Sequence, residues 1–182
     1  MRLFVGLPIP DEVAEKMAVM IERLRTAGAE LPWSPRGNLH VTTKFIGSWP
    51  DARLDEISSA LAGIEAPALE LALTGLGWFP NPHAPRIFWA GVKGGEALSR
   101  LAAATDEATA ALGVARETKP YTPHVTLARI KPGMDFKALR AAVAELQLPV
   151  FGSWRAAGFH LYRSDTLPSG SVYTKLAEFR LG

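Results

Sequence analysis

The stretch NLHVTTKFIG at residues 38–47 is echoed by YTPHVTLARI at residues 121–130, and both contain the tripeptide His-Val-Thr. The motifs use two of only four histidines in the chain. Residues two apart on an extended strand point to the same face. Each stretch therefore predicts a β-strand that presents an imidazole and a hydroxyl side by side to one small anion.

The repeat extends beyond the two motifs. Arg2-Leu3-Phe4 lies 38 residues before His40, and Arg86-Ile87-Phe88 lies 38 residues before His124, so the offset is 84 residues in both places. Apolar residues at intervals of three and four predict a helix between the paired anchors in each copy. The chain thus predicts a duplicated strand–helix–strand unit.

The remaining elements follow the same duplication. We predict one domain over residues 1–182, made of two closely packed lobes that correspond to about 1–80 and 85–165. Alternating apolar residues and turn residues place the strands, and three-to-four spacing places the helices. The predicted strands are Arg2–Leu7, Leu39–Ile46, Leu69–Leu76, Arg86–Val92, His124–Ile130, Gly152–Tyr162 and Val172–Arg180, the helices are Asp11–Arg25, Ala52–Leu61, Glu96–Leu112 and Phe136–Ala144, and Leu167–Ser171 is a hairpin turn.

Composition excludes several classes of protein. The chain has no cysteine, which excludes disulfides, thiol catalysis and cysteine-ligated zinc. No segment approaches the roughly 20 apolar residues that a membrane span needs, and the short apolar run at Leu3–Ile9 contains Pro8 and predicts no secretory signal. A net charge of +2 is far from that of a dedicated nucleic-acid binder. We expect a cytoplasmic monomer without a membrane partner and with only local contacts to nucleic acid.

Two histidines and two threonines that face one cleft suit in-line attack on a phosphodiester. One imidazole removes a proton from water and the other protonates the leaving oxygen, while the hydroxyls bind the nonbridging oxygens. Metal binding is the competing interpretation, but each strand offers one good ligand, and no Asp or Glu lies within four residues of His40 or His124. We therefore predict neither a metal nor a cofactor.

The chain resembles the 2H phosphoesterases, which carry two His-x-Thr/Ser motifs on two pseudo-symmetric lobes. The similarity is greatest to their bacterial and archaeal branch, the RNA 2′,3′-cyclic phosphodiesterases, also called 2′-5′ RNA ligases. It covers almost the whole chain. The residues that carry it are Arg2-Leu3-Phe4, Trp33, Pro35, residues 38–47, 86–91 and 123–129, Tyr162-Arg163-Ser164 and Tyr173.

This resemblance implies an α+β fold in which two antiparallel sheets flank a central cleft, with the helices outside. It implies hydrolysis of RNA 2′,3′-cyclic phosphate ends, tRNA fragments among them, to 2′-phosphomonoesters, together with reversible 2′-5′ ligation. It assigns His40 as proton donor and His124 as proton acceptor, with the exchanged roles left open, and places Thr42 and Thr126 at catalytic positions. Arg129 stands where the family has a phosphate-contacting arginine. Its odd spacing from His124 would aim it at the opposite face of the strand unless a bulge intervenes.

Two alternatives stay open. The same chemistry could act on a small nucleotide or an ADP-ribose cyclic phosphate, or the chain could bind RNA ends or nucleotides without turnover. The other candidate residues are expected to have structural roles, with Thr43 facing the core, His83 in a loop and His160 on a late strand. The aromatic residues Trp33, Phe45, Phe79, Trp89 and Tyr121 are expected at the core or the rim, one of them available to stack on a base.

Overall fold

A computed structural model describes residues 1–27, 30–146, 152–168 and 170–182. Within these ranges the chain forms eight strands and four helices, with short 3-10 turns at Arg36–Asn38 and Asp51–Arg53. In chain order the elements are β1 (Arg2–Pro8), α1 (Asp11–Thr26), β2 (His40–Ser48), α2 (Leu54–Ala62), β3 (Leu69–Phe79), β4 (Ile87–Lys93), α3 (Gly95–Ala110), β5 (His124–Arg129), α4 (Lys137–Glu145), β6 (Ser153–Ala156), β7 (Gly158–Leu167) and β8 (Gly170–Arg180).

The strands form two four-stranded antiparallel sheets, in the orders β2-β1-β7-β8 and β5-β4-β3-β6. The predicted α+β class with two antiparallel sheets is confirmed. The boundary between the sheets does not follow the boundary between the repeats, because β3 of the first repeat lies in the second sheet and β7 of the second repeat lies in the first. Each sheet is therefore completed by strands from the other half of the chain.

The helices form because one face of each is apolar. In α1, the buried residues recur at intervals of three and four and belong to the hydrophobic core. Asp11 and Glu12 lie in its first turn, where the helix dipole favours negative charge. The hydrophobic core is one cluster that joins both sheets. It contains Leu7 and Val41 from the first sheet as well as Leu73 and Phe88 from the second.

One predicted strand, Gly152–Tyr162, is two strands in the structure. β6 pairs with β3 and β7 pairs with β1, so the chain passes from one sheet to the other at Ala157. The buried apolar residues change phase at this point, from Trp154 and Ala156 to Phe159 and Leu161. The sequence prediction joined the two runs into one strand although their alternation is out of step. The hairpin turn is confirmed, since Leu167 is opposite Gly170 in the β7–β8 pair, although Ser169 lies outside the described residues.

The two sheets approach each other at their edge strands β2 and β5, which carry the two His-Val-Thr motifs. A segment just before β2 covers the free edge of β5. The Ser34 amide donates to the Leu127 carbonyl at 2.7 Å, and the Arg129 amide donates to the Pro32 carbonyl at 3.2 Å. This pairing satisfies backbone groups that an edge strand would otherwise expose. It also joins the segment that leads into the first motif to the strand of the second.

Across the described part of the chain, none of the helices combines the length and apolar character needed to cross a membrane.

Candidate active site

Each motif strand contains a β-bulge directly after its His-x-Thr sequence. In β2, Gly6 of the neighbouring strand pairs with Thr42 and Val5 pairs with Lys44, so Thr43 is the extra residue. A bulge of this kind places two successive residues on one side of the strand and restarts the alternation. Thr43 and Lys44 are accordingly both buried, and the next residue, Phe45, is exposed again.

The same irregularity occurs at the equivalent position of β5. Trp89 pairs with Thr126 and Phe88 pairs with Ala128, so Leu127 is the extra residue. Leu127 and Ala128 are both buried, and Arg129 is exposed. The odd spacing between His124 and Arg129 therefore does not send the arginine to the opposite face. Arg129 is also near enough to both imidazoles for its charge to lower the pKa of His40 and of His124, which is consistent with a position on their side of the strand.

Both imidazoles are oriented by the same backbone hydrogen bond. His40 Nδ1 lies 2.6 Å from the Asn38 carbonyl oxygen, and His124 Nδ1 lies 2.7 Å from the Thr122 carbonyl oxygen. A carbonyl oxygen can only accept, so Nδ1 carries the hydrogen in both rings. In the neutral tautomer, Nε2 of each ring is left with a free lone pair, ready to accept a proton, and it can donate one once protonated.

The two rings differ in how deeply they are enclosed. The His40 ring packs 4.6 Å from the Phe4 ring and 5.1 Å edge-on from the Tyr173 ring, measured between centroids. Burial, together with the charges of His124 and Arg129, lowers the pKa of His40 to about 4, although the hydrogen bond to Asn38 opposes this shift. His40 is therefore neutral at neutral pH.

His124 has a smaller set of aromatic neighbours. Its ring lies 5.0 Å edge-on from the Phe79 ring and 6.2 Å from the Trp89 ring. Burial and the charge of Arg129 lower the pKa of His124, opposed by the hydrogen bond to Thr122. The charge of His124 also acts on His40, so the two side chains share one electrostatic environment. Such depressed histidine pKa values are typical of functional clefts.

The two threonines of the motifs occupy matching positions. Thr42 and Thr126 are both half-buried. In each motif a buried valine separates the histidine from the threonine. The hydroxyl of each can reach the face on which its histidine lies. Thr43 points the other way as predicted, since its side chain is 5% exposed and its hydroxyl donates to the Val5 carbonyl at 3.3 Å.

A hydrogen bond joins the two motifs directly. The Tyr121 hydroxyl, three residues before His124, donates to the Thr42 backbone carbonyl at 2.9 Å. Burial raises the pKa of this phenol, so it stays protonated and remains a donor. Tyr121 was expected to be a core or rim residue, and sequence spacing could not have found its role, because the bond crosses between the lobes.

A buried ion pair reinforces this junction. Lys44, 1% exposed, donates to Asp106 Oδ1 on α3 and to the Ala115 carbonyl, both at 2.6 Å. Asp106 Oδ1 also accepts from the Glu117 amide at 3.0 Å. The first motif strand is thereby tied to the helix and the loop that lead into the second. We call the Tyr121–Thr42 and Lys44–Asp106 contacts the interlobe brace.

A cavity of about 750 Å³ opens beside the motifs. Thr42 and His124 form part of its wall, together with the aromatic residues Phe45, Phe79 and Tyr121. Its volume lies within the range of about 300–1,000 Å³ that is usual for ligand sites. Phe45 is 60% exposed, so its ring is accessible to a ligand.

The other two histidines lie outside this constellation, as the sequence predicted. His83 is an exposed loop residue whose amide donates to the Asn81 side chain. His160 is on β7, 9% exposed, and its Nδ1 lies 2.9 Å from the Tyr162 hydroxyl. In the part of the chain that the structure describes, no three His, Cys, Asp or Glu side chains are grouped so that they could hold a metal ion.

A fold of two antiparallel sheets with one His-x-Thr strand at the edge of each defines a 2H phosphoesterase. The family model described as LigT like phosphoesterase matches the chain twice, over residues 7–89 and 92–173. One match falls in each half, as expected for a duplicated unit. The chain belongs to the LigT-like phosphoesterase family, and the resemblance inferred from its motifs is confirmed.

Relatives and solved structures agree with this assignment. The RNA 2′,3′-cyclic phosphodiesterase of Methanothermobacter thermautotrophicus is 31% identical, with 99% of this chain and 98% of the relative covered. The enzyme of the same name from Thermus thermophilus is 35% identical, with 100% and 90% covered. The crystal structure of TT0787 from Thermus thermophilus matches with a TM-score of 0.80 and 32% identity, covering 100% of this chain and 98% of that one.

Proposed function

We propose that this protein hydrolyses the 2′,3′-cyclic phosphate end of RNA to a 2′-phosphomonoester without a metal or cofactor. The observation that carries the proposal is the matched pair of histidines, each with Nδ1 held by the carbonyl two residues upstream and both within the field of Arg129. Relatives of nearly the same length are named for this activity. The pair supplies an acid and a base, and Arg129 supplies a counter-charge for the phosphate.

The proposed reaction is an in-line displacement at phosphorus. His124 Nε2 takes a proton from water, the water oxygen forms a bond to phosphorus, and the bond from phosphorus to the 3′ oxygen breaks. His40 Nε2 gives its proton to the departing 3′ oxygen, which leaves a 2′-phosphate and a free 3′ hydroxyl. Thr42 and Thr126 donate to the nonbridging oxygens, where negative charge accumulates. Exchange of the two histidine roles would preserve the same balance of protons.

The low pKa of His40 means that the donor has to acquire its proton when the substrate binds. Its neutral form dominates at neutral pH, because burial and nearby positive charge disfavour the imidazolium. A bound cyclic phosphate carries a negative charge, which favours the charged form and raises the pKa of both histidines. Substrate binding therefore charges the acid only when there is a leaving group to protonate.

The same site would join RNA ends when a 5′ hydroxyl replaces water as the nucleophile. His124 then removes the proton of that hydroxyl, and loss of the 3′ oxygen leaves a 2′-5′ phosphodiester. Because the same two proton transfers operate in reverse, the joining reaction would be reversible. We propose RNA fragments with cyclic phosphate ends, including tRNA fragments, as substrates of a monomeric cytoplasmic enzyme.

The terminal base has a candidate platform in Phe45. Its exposed ring lies on the wall of the cavity that Thr42 and His124 also line. A base stacks on an aromatic ring without regard to its hydrogen-bonding pattern, so this contact would accept any of the four bases. The predicted preference is for a nucleotide end over a free cyclic phosphodiester.

The test is a reaction of EDTA-treated protein with an oligoribonucleotide that ends in a 2′,3′-cyclic phosphate. Chromatography should identify a 2′-phosphomonoester, formed at an unchanged rate after chelation. The His40→Ala variant serves as the control for contaminating ribonuclease. A 3′-phosphate product would contradict the proposed regiochemistry, and tight binding of the oligonucleotide without turnover would establish the binding-module alternative.

A further inference from the structure

The cavity beside the motifs extends further than a single scissile phosphate requires. Thr42 and His124 line it, and so does Arg86, which lies immediately before β4. His124 pairs with Gly91 on β4, five residues from Arg86, which corresponds to roughly 16 Å of strand. A stacked nucleic-acid strand carries one charge per roughly 3.4 Å. The wall is therefore long enough to meet a phosphate beyond the one that reacts.

The charges on the wall differ in whether they are already neutralised. Lys44 lies 2.6 Å from Asp106 and 3.6 Å from Glu117, so this lysine and the two acids form one group. Arg86 and Lys119 also line the cavity and are exposed. Among the residues that the structure describes, no carboxylate lies within ion-pair distance of Arg86 or Lys119. The cavity therefore has a net positive wall with two cations available to an anion.

We propose that Arg86 and Lys119 form a second phosphate subsite, which binds the phosphate on the 5′ side of the terminal nucleotide. This inference rests on the proposed function and adds a substrate class to it: the enzyme prefers a cyclic phosphate at the end of a chain to one on a lone nucleoside. A guanidinium matches a phosphate through two parallel hydrogen bonds, and an ammonium adds a point charge. Neither contact reads the base, so the preference is independent of sequence.

Three adenosine substrates isolate the subsite. The first is adenosine 2′,3′-cyclic phosphate, the second carries an additional 5′-phosphate, and the third is the dinucleotide with the same cyclic end. Because both cations are exposed, and an exposed charge pair contributes little by itself, kcat/KM should be roughly three- to tenfold higher for the second and third. The 5′-phosphate alone should supply most of this advantage.

Substitutions of the two cations test whether they cause the higher kcat/KM of the 5′-phosphorylated substrate. Arg86→Gln and Lys119→Gln should each lower the ratio of kcat/KM between the 5′-phosphorylated and unphosphorylated substrates, and the double variant should bring the ratio close to one. Arg100→Gln is the matched control, since Arg100 is an exposed cation on α3 paired with Glu96 and outside this cavity wall. It should keep the full ratio.

The outcomes separate the subsite from the underlying activity. If the wild-type protein hydrolyses adenosine 2′,3′-cyclic phosphate but gains nothing from the 5′-phosphate, the subsite is wrong and the proposed function stands. A ratio that persists in the double variant also overturns the subsite. If none of the three substrates is hydrolysed, the proposed function itself has failed.

Discussion

The two motif strands are the same in their first three residues and different in the next three. Both β2 and β5 present His-Val-Thr, and both then bulge by one residue. Four residues after the histidine, β2 has Lys44 and β5 has Ala128; five residues after it, β2 has Phe45 and β5 has Arg129. The two copies share the His-Val-Thr motif and differ at the positions that follow it.

Because of this difference, the two strands contribute different side chains to the site. Arg129 brings positive charge to both histidines, which a phosphate can use, while Phe45 brings an exposed ring to the same cleft. Lys44 is buried and contributes instead to the interlobe brace, whereas the small Ala128 lies close to the segment that covers β5. A pseudo-symmetric scaffold thus produces an asymmetric site.

The largest effect should come from removing what the strands share. We expect His40→Ala and His124→Ala each to lower kcat by about 10²–10⁴, because each removes one proton transfer. The double variant should be little worse than either single variant, since the two residues act as a unit. Single-turnover kinetics on a cyclic-phosphate oligonucleotide measures all three.

The control for this comparison is His160→Ala, which removes a histidine outside the cleft. It should retain most of the activity if folded, as circular dichroism would show. Full activity in His40→Ala or His124→Ala, or strictly additive losses in the double variant, would contradict the paired mechanism.

A smaller effect should follow from removing what distinguishes β5. Arg129→Gln should lower kcat/KM about ten- to hundredfold, because a charge-assisted contact to the phosphate is lost. It should also raise the pKa of both histidines, since the arginine charge lowers both. The acidic limb of the pH profile of kcat/KM then moves to higher pH, because the base loses its proton only above its raised pKa. The basic limb also moves to higher pH, because the acid keeps its proton up to its own raised pKa.

Phe45→Leu is the matched variant on β2, at the equivalent position but without a charge. It should leave both histidine pKa values in place while weakening the binding of nucleotide ends. Imidazole titrations followed by NMR distinguish the two variants. Unshifted histidines in Arg129→Gln would mean that the guanidinium does not lie at the shared site.

The smallest effect concerns the interlobe brace. Tyr121→Phe keeps the ring and removes the hydrogen bond to the Thr42 carbonyl. We expect kcat to fall by about tenfold with little change in KM, because the two motifs lose part of their alignment while the phosphate contacts remain. Steady-state kinetics well below the unfolding temperature makes this measurement.

Tyr162→Phe provides the comparison, since its hydroxyl lies beside His160 within one sheet and does not join the lobes. It should change kcat less than Tyr121→Phe does. Equal effects of the two substitutions, or an effect of Tyr121→Phe on thermal stability alone, would count against a positioning role for Tyr121.

The sequence by itself determined the elements whose information is local. The fixed offset between Arg2-Leu3-Phe4 and Arg86-Ile87-Phe88 revealed the duplication, and the period of apolar residues gave α1 and most of the strands. His40, Thr42, His124 and Thr126 could be picked out because strand geometry relates residues two apart wherever the strand lies. From this order and the long-range pairs of the core, we propose that the chain folds as a single domain.

Tertiary structure decided whatever depends on which strands meet. Register and partner choice come from packing between distant segments. No local pattern of apolar residues therefore marks the bulge that returns Arg129 to the side of His124, or the exchange of β3 and β7 between the sheets. The Tyr121–Thr42 bond and the cavity shared by His124 and Arg86 arise in the same way. The motifs specified the chemistry of the candidate site, and the contact between the lobes decided how its parts are aligned.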